Sequence, residues 1–393
     1  MTRDPRSAGF TLLEIMVALT VGGIALSSIY AVGAASTRHF REQQRISASQ
    51  TSLRTAMDQL KRDLQRAGFL ATPNVQTPGE ICGPRVNAPI DDASNNAGTG
   101  RLAAISAFRS NVAEPGSLDP DNLNNWDTVD QVTLMGNYVT SAEYGGIQIA
   151  PDGVTITVSM NTHSFQRDFT LWSGPGAGQC NLSAFANAFA VGRLVRIHTL
   201  TERLFFSRVA AVSCPATGPA TVVIVDRVPT TCNALQGWIA PVNTINIEAV
   251  DAVGDETSRT NPGGNRVAVL RRTEVMPDNK ASPLTLPATG APIDDRSILD
   301  YLVSFRLNFM MTNGAPNLVN FAPSLDSVVR ANPERVRGVI IDLSTRTAEQ
   351  EPDFDALQYP NGLAFKVLPT RGGARVRRLH AELLLPNIAY RGL

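Results

Sequence analysis

Glu14 is the residue in this chain that most needs a chemical explanation. It stands in a long apolar stretch, and no other charge occurs between Arg6 and Arg38. A carboxylate in such a segment costs roughly 2.5–3.5 kcal/mol on insertion into a bilayer, so its retention points to a task such as holding a partner cation. Elsewhere the reactive side chains do not assemble into a recognisable centre. His39, His163, His198 and His380 are scattered, and no H-E-x-x-H occurs. There is no G-x-S-x-G elbow. The run Ser173-Gly174-Pro175-Gly176-Ala177-Gly178 lacks the Lys-Ser/Thr of a phosphate-binding loop. Asp119, Asp121, Asn125, Asp127 and Asp130 fall at spacings reminiscent of a calcium loop. Yet Leu123 takes a ligand position, Asn124 replaces the turn glycine and Asp130 replaces the bidentate Glu, so a solvated Asx-rich loop is the preferred reading. The expectation is a protein that is not an enzyme and holds no cofactor and, this weak Asp set apart, no metal.

The element that must position Glu14 is a helix. From Ile15 to Ala35 the uncharged run is about 21 residues, roughly 31 Å at ~1.5 Å rise per residue. That matches a hydrocarbon core of about 30 Å. A cleaved secretory signal carries a shorter apolar core of about 7–15 residues before a small-residue site. Ala31, Gly33, Ala34 and Ala35 resemble such a site, but Glu14 argues against it. Arg3 and Arg6 precede the run, as expected of a cytoplasmic flank, while Arg38, Arg41 and Arg45 follow it on the other side and weaken the charge bias.

The run Gly9-Phe10-Thr11-Leu12-Leu13-Glu14, behind a short basic leader, resembles the class III signal of type IV pilins and type II secretion pseudopilins. The resemblance implies cleavage by a prepilin peptidase between Gly9 and Phe10, and N-methylation of Phe10. It implies that Glu14 is kept for assembly, paired with the terminal amine of a neighbouring subunit. That amine has an ordinary pKa of about 7.7–8.0, and two charges buried together each need the other. The resemblance also implies an inner-membrane protein with its head in the periplasm. Its partners would be the peptidase, other minor pilins, a major pilin, the inner-membrane assembly platform and a tip adhesin. Glu334–Arg346 (ERVRGVIIDLSTR) and Leu379–Asn387 (LHAELLLPN) further resemble closing strands of PilW-type minor pilins.

The helix is expected to run on past the membrane, because no Pro occurs between Pro5 and Pro73 and no Gly between Gly33 and Gly68. Leu53, Met57, Leu60, Leu64 and Ala67 recur at spacings of three and four, with Arg54, Asp58, Lys61, Arg62 and Arg66 on other faces. Gly68 is a plausible C′ cap. The inserted half lacks the proline that many members of the resembled family carry. Gly22, Gly23 and Gly33 are positions of flexibility or of close helix packing.

Beyond residue 69 the chain turns rich in Gly, Pro, Asn, Asp and Thr with short β-branched runs. Strands are expected at Val129–Met135, Val154–Met160, Leu194–Leu200, Arg208–Val212, Thr221–Val225, Asn243–Val250, Arg266–Arg272, Leu302–Met310, Arg337–Leu343 and Arg375–Leu385. Asn181–Phe189 suits one or two helical turns. The fold class read from this pattern is α+β, a long N-terminal helix packed on a large antiparallel β-rich domain. The expected organisation is leader 1–9, inserted half 10–36, amphipathic half 37–68, β-rich region 69–276, Pro-rich linker or loop 277–292 and C-terminal β region 293–393, which returns to the sheet under the helix.

Composition bounds the partners. Lys+Arg 35 and Asp+Glu 35 cancel, so no global field favours nucleic acid. Cys82, Cys180, Cys214 and Cys232 are an even set suited to disulfides outside the cytoplasm. Three pairings are possible; Cys214–Cys232, closing a loop round the Val222–Val225 strand, and by exclusion Cys82–Cys180 are favoured. The functional expectation is a minor pilin priming assembly or forming part of a filament tip. The alternatives are a pseudopilin of type II secretion, and a tip adhesin or DNA-uptake subunit, the last without a basic-aromatic patch to support it.

Overall fold

The protein is described from a computed structural model. It covers residues 11–72, 82, 103–109, 130–172, 178–216, 218–232, 236–251, 268–277, 279–285, 290–312, 319–323, 329, 332–348, 364–365 and 373–389. A single helix, α1, spans Leu12–Gln65. The chain divides into two compact units, Met1–Thr51 and Ser52–Leu393, so α1 contributes to both.

In the second unit the last turns of α1 bury Leu53, Met57, Leu60 and Leu64, the stripe expected from the three-and-four spacing. The helix stops because Gly68 takes φ +77°, the left-handed conformation favoured at C′. Its N–H then donates to the Met135 carbonyl at 2.8 Å, which ties the helix end to a strand.

The strands follow in the order β1 (Ile105–Arg109), β2 (Asp130–Gly136), β3 (Tyr144–Ile149) and β4 (Thr155–Val158). Two short helices come next, α2 (His163–Phe169) and α3 (Leu182–Ala188). After them run β5 (Leu194–Thr199), β6 (Leu204–Ser213), β7 (Ala220–Ile224) and the long β8 (Gln236–Asp251). Then come β9 (Ala268–Met276), β10 (Asn279–Pro283) and β11 (Asp295–Leu299). The last group is β12 (Leu302–Thr312), β13 (Val319–Pro323), β14 (Val336–Arg346), β15 (Ala364–Phe365), β16 (Ala374–Leu384) and a final turn, α4 (Pro386–Ala389).

All pairings between strands are antiparallel, and β8 organises them. Its first half pairs β3 on one side and β5 on the other. Since β3 pairs β4, β4 pairs β7, β7 pairs β6 and β6 pairs β5, this half closes a six-stranded barrel. Its second half, from Asn243, pairs β2 and β9 in an open sheet that β1, β10 and β11 complete. Pro241 sits at the handover, where β3 has ended at Ile239 and β2 has not yet begun. A residue without an N–H is tolerated where one side of the strand is unpaired. The C-terminal strands form a separate sheet in the order β13-β12-β14-β16-β15.

Two large hydrophobic cores result, and a small third one gathers Ala71, Met135, Leu194, Leu204, Phe206 and Val242. One lies between the α1 stripe, β1, β2, the second half of β8, β9 and the C-terminal sheet, with Leu60, Leu134, Ile247, Phe305, Phe309 and Ile341 fully buried. The other fills the barrel. There α2 and α3 contribute Phe165, Phe169, Phe185 and Phe189, with Phe169 and Phe185 meeting edge to face at 5.2 Å. Asn181 starts α3 by accepting the Ala184 N–H at 3.1 Å.

Two expectations change. The stretch 277–292, expected as a linker or loop, contributes β10 to the sheet through β9. The C-terminal region does not simply rejoin the first sheet: β11 does, while β12 to β16 build a second one.

The disulfides are the clearest correction. The bonds are Cys82–Cys232 and Cys180–Cys214, with Cα atoms 5.4 and 5.9 Å apart. Cys214–Cys232 fails because Cys214 closes β6 at the turn into β7, whereas Cys232 lies beyond the far end of β7. An extended strand between them carries the chain past the ~7 Å limit for bridging Cα atoms. Both bonds fasten peripheral segments to the barrel, Cys82 also donating its N–H to Leu204 O at 3.0 Å.

Candidate assembly segment

The start of α1 is a reciprocal cap. The Glu14 Oε2 accepts the Thr11 N–H at 3.0 Å and the Thr11 hydroxyl at 3.1 Å, while Thr11 Oγ1 accepts the Glu14 N–H at 3.2 Å. This is a capping box, which satisfies donors that a helix N-terminus leaves orphaned. The pattern Thr11-Leu12-Leu13-Glu14 carries that signature in the sequence, where the isolated charge of Glu14 overshadows it. Glu14 thus has a partner within its own chain, and all residues from 11 to 20 are exposed.

The rest of the apolar half has no partner among the described residues of the chain. Leu13, Leu19, Ile24, Leu26, Ile29 and Val32 are all about two-thirds exposed or more. A mean hydropathy of 2.0 over its best window makes α1 long and apolar enough to cross a membrane. Four of its hydroxyls are satisfied locally. Thr20 donates to Val17 O at 2.9 Å, Ser27 and Ser28 to Ile24 O at 2.8 and 2.9 Å, and Thr37 to Gly33 O at 2.8 Å. Hydrocarbon offers no water to orphaned polar groups, so this pattern suits burial in lipid or against other apolar helices. A side chain built at Gly22, Gly23 or Gly33 would meet nothing within 4 Å.

The other expected site residues are not gathered with Glu14. Gly9 and Phe10 lie outside the described residues, as do Asp119, Asp121 and Asp127. Asp130 is fully buried at the start of β2 and its carboxylate accepts the Leu307 N–H at 2.8 Å, so it cross-links β2 to β12 rather than facing a solvated loop. No cluster of three or more His, Cys, Asp or Glu suited to a metal occurs among the described residues.

A buried polar seam, unsuspected in the sequence, joins the two large cores of the second unit. On the α1 side, Asp63 accepts from Arg272 Nε at 2.9 Å and from Gln59 at 3.0 Å, and Arg272 also meets Asp294. Tyr138 donates its hydroxyl to the Asp63 carbonyl at 2.8 Å, and its N–H to Asn243. Burial away from water pushes the pKa of this hydroxyl well above 10, and the Asp63 charge adds to the effect. On the barrel side, Glu274 accepts two bonds from Arg193, both 2.7 Å, and one from Asn243 at 2.8 Å. Arg193 also donates to the carbonyls of Asn187 and Ala188 at the end of α3.

Comparison with known proteins bears on the assembly segment. Residues 4–30 match the family described as the prokaryotic N-terminal methylation motif. The N-terminus is of the prepilin type. No curated protein matches the sequence. Among solved structures, a type IV-like pilin from Thermus thermophilus, TTHA1219, aligns at 14% identity with a TM-score of 0.18, covering 53% of this chain and 95% of that one. A score of that size carries no argument about topology. The helix on an antiparallel β domain rests on the strand pairing of this chain.

Proposed function

We propose that this chain is a minor subunit of a type IV pilus-like filament, anchored in the inner membrane by α1 before assembly and held in the filament by the same helix afterwards. The observation that carries this is the conjunction of a methylation motif over residues 4–30, which runs into α1, with an apolar face of α1 that has no partner among the described residues. The apolar half supports a stay in lipid followed by transfer to a bundle of like helices. Prepilin peptidase would cut after Gly9 and expose the Phe10 amine. Glu14, engaged with Thr11 in the single chain, would exchange that cap for the amine of a neighbour. The size of the head, with a barrel added to the sheet domain, supports a low-copy or tip position, since a bulky head crowds a repeating shaft. Its periplasmic side, the other pilins and the assembly platform as partners belong to this reading.

The test is a chromosomal Glu14→Ala variant followed for processing and for recovery in sheared filaments. The expected result is normal cleavage with strong loss from the filament fraction. Normal incorporation of the processed variant would end the proposal for Glu14. Deletion is expected to abolish surface pili and twitching. Loss of exoprotein secretion with intact pili would instead mark the subunit as a type II secretion pseudopilin.

A further inference from the structure

Arg38, Arg41 and Arg45 stand just beyond the apolar run, on the side where basic residues are ordinarily disfavoured. Nothing in the assembly chemistry above uses them. All three are exposed helical residues of the first unit. At ~3.6 residues per turn, spacings of three and seven place them within about 60° of one another round the axis. They form one stripe. Glu42 shares it, with His39 at 3.9 Å, so three arginines against one glutamate leave two positive charges when His39 is neutral.

Axial position decides what the stripe meets. Arg38 lies about 4.5 Å past Ala35 along the helix, Arg41 about 9 Å and Arg45 about 15 Å. The headgroup layer on each side of a bilayer is about 5–7 Å thick. Helical Cα–Cβ bonds lean toward the N-terminus, which here means back toward the bilayer. Arginine stems extend that reach by several ångströms, as snorkelling side chains do. The Arg38 and Arg41 guanidinium groups therefore fall among the headgroups, and Arg45 at their outer edge. Two exposed aromatics bracket this level, Tyr30 on the lipid side and Phe40 within the basic turn. Aromatic residues flanking a span mark the same interface.

A guanidinium is a planar fork that meets phosphate oxygens two at a time. We propose that Arg38, Arg41 and Arg45 clamp the phosphates of anionic phospholipids in the leaflet nearest the head. The clamp sets the depth at which the unassembled subunit waits. This rests on the membrane-anchored reading above. It turns the adverse charge bias into a holding device, and removal of the subunit into a filament must break it.

The test uses the full chain reconstituted in phosphatidylcholine vesicles with a minor share of phosphatidylglycerol. Spin-labelled forms of both lipids report which one associates with the protein. A basic residue near an anionic surface is worth about 1 kcal/mol, roughly fivefold in association. The expected result is a several-fold preference for phosphatidylglycerol, weakened by salt and abolished in the Arg38→Gln/Arg41→Gln/Arg45→Gln variant. Arg54→Gln, farther along the helix, should leave the preference intact, and so should free glycerol phosphate in solution. An unchanged preference in the triple variant overturns the clamp. If that variant keeps its lipid preference but fails to enter filaments, the stripe meets an acidic neighbouring subunit instead. Failure of the wild-type chain to float with pure phosphatidylcholine vesicles would overturn the membrane reading itself, a separate result.

Discussion

Removing Glu274 should injure this fold out of proportion to its size. Its carboxylate and the Arg193 guanidinium are almost completely enclosed, with side-chain exposures of 3% and 1%. They share two bonds of 2.7 Å. In Glu274→Ala the cation stays buried with only the Asn187 and Ala188 carbonyls as partners. Breaking one side of such a pair costs about 3–5 kcal/mol, because the remaining charge is uncompensated. Arg193→Met should cost a similar amount, leaving Glu274 with Asn243 alone. The double variant Arg193→Met/Glu274→Leu leaves no lone charge and should cost less than the sum of the singles by a coupling of about 2–3 kcal/mol. Urea unfolding of the detergent-solubilised chain, followed by tryptophan fluorescence, reads all four proteins. The midpoints should shift at constant m, as expected when stability alone changes. Single costs below about 1 kcal/mol that simply add would refute the argument, since they would mean that water reaches the pair.

The raised pKa of Tyr138 means that the folded state holds a proton the unfolded chain releases near pH 10; stability should therefore be complete below about pH 10 and fall as pH rises above it. Tyr138→Phe should make that alkaline decline shallower while costing roughly 1 kcal/mol at neutral pH for the lost bond to Asp63, measured by thermal melts across pH. Opening the disulfides releases loops of 34 and 150 residues. Loop entropy alone assigns these about 4 and about 5 kcal/mol, so Cys82→Ser/Cys232→Ser should lower the melting temperature at least as far as Cys180→Ser/Cys214→Ser. Gly136→Ala would place a Cβ 2.5 Å from the Arg66 carbonyl. Overpacking of this kind costs about 1–3 kcal/mol, and a hydrogen-exchange map should show the end of α1 loosened before the barrel.

Much of the secondary structure was legible because period-two alternation survives in any half-buried strand. Val154–Met160 and Leu302–Met310, for example, fall on β4 and β12 within two residues at either end. What alternation cannot encode is which strand a strand meets. Asn243–Val250 was visible as a strand, but its extension to Gln236 and its service in both barrel and sheet depend on partners far away in sequence. β3 was missed because Gly145 and Gly146 interrupt its pattern; a Cβ at Gly145 would lie 3.0 Å from the Trp238 ring, so the glycine answers to packing rather than propensity.

The candidate site divides in the same way. Glu14 stood out because an isolated charge in an apolar run is anomalous in one dimension. The Arg193–Glu274 pair spans 81 positions, and neither residue looks unusual where it stands. The disulfides could not be paired from spacing, because the extended β7 separates the two cysteines nearest in sequence.

The most direct measurement of the central claim is the intact mass of this chain recovered from sheared filaments. The account predicts a subunit lacking residues 1–9 and carrying one added methyl group on Phe10. A chain found only in the membrane fraction, uncut or cut at another bond, would contradict it.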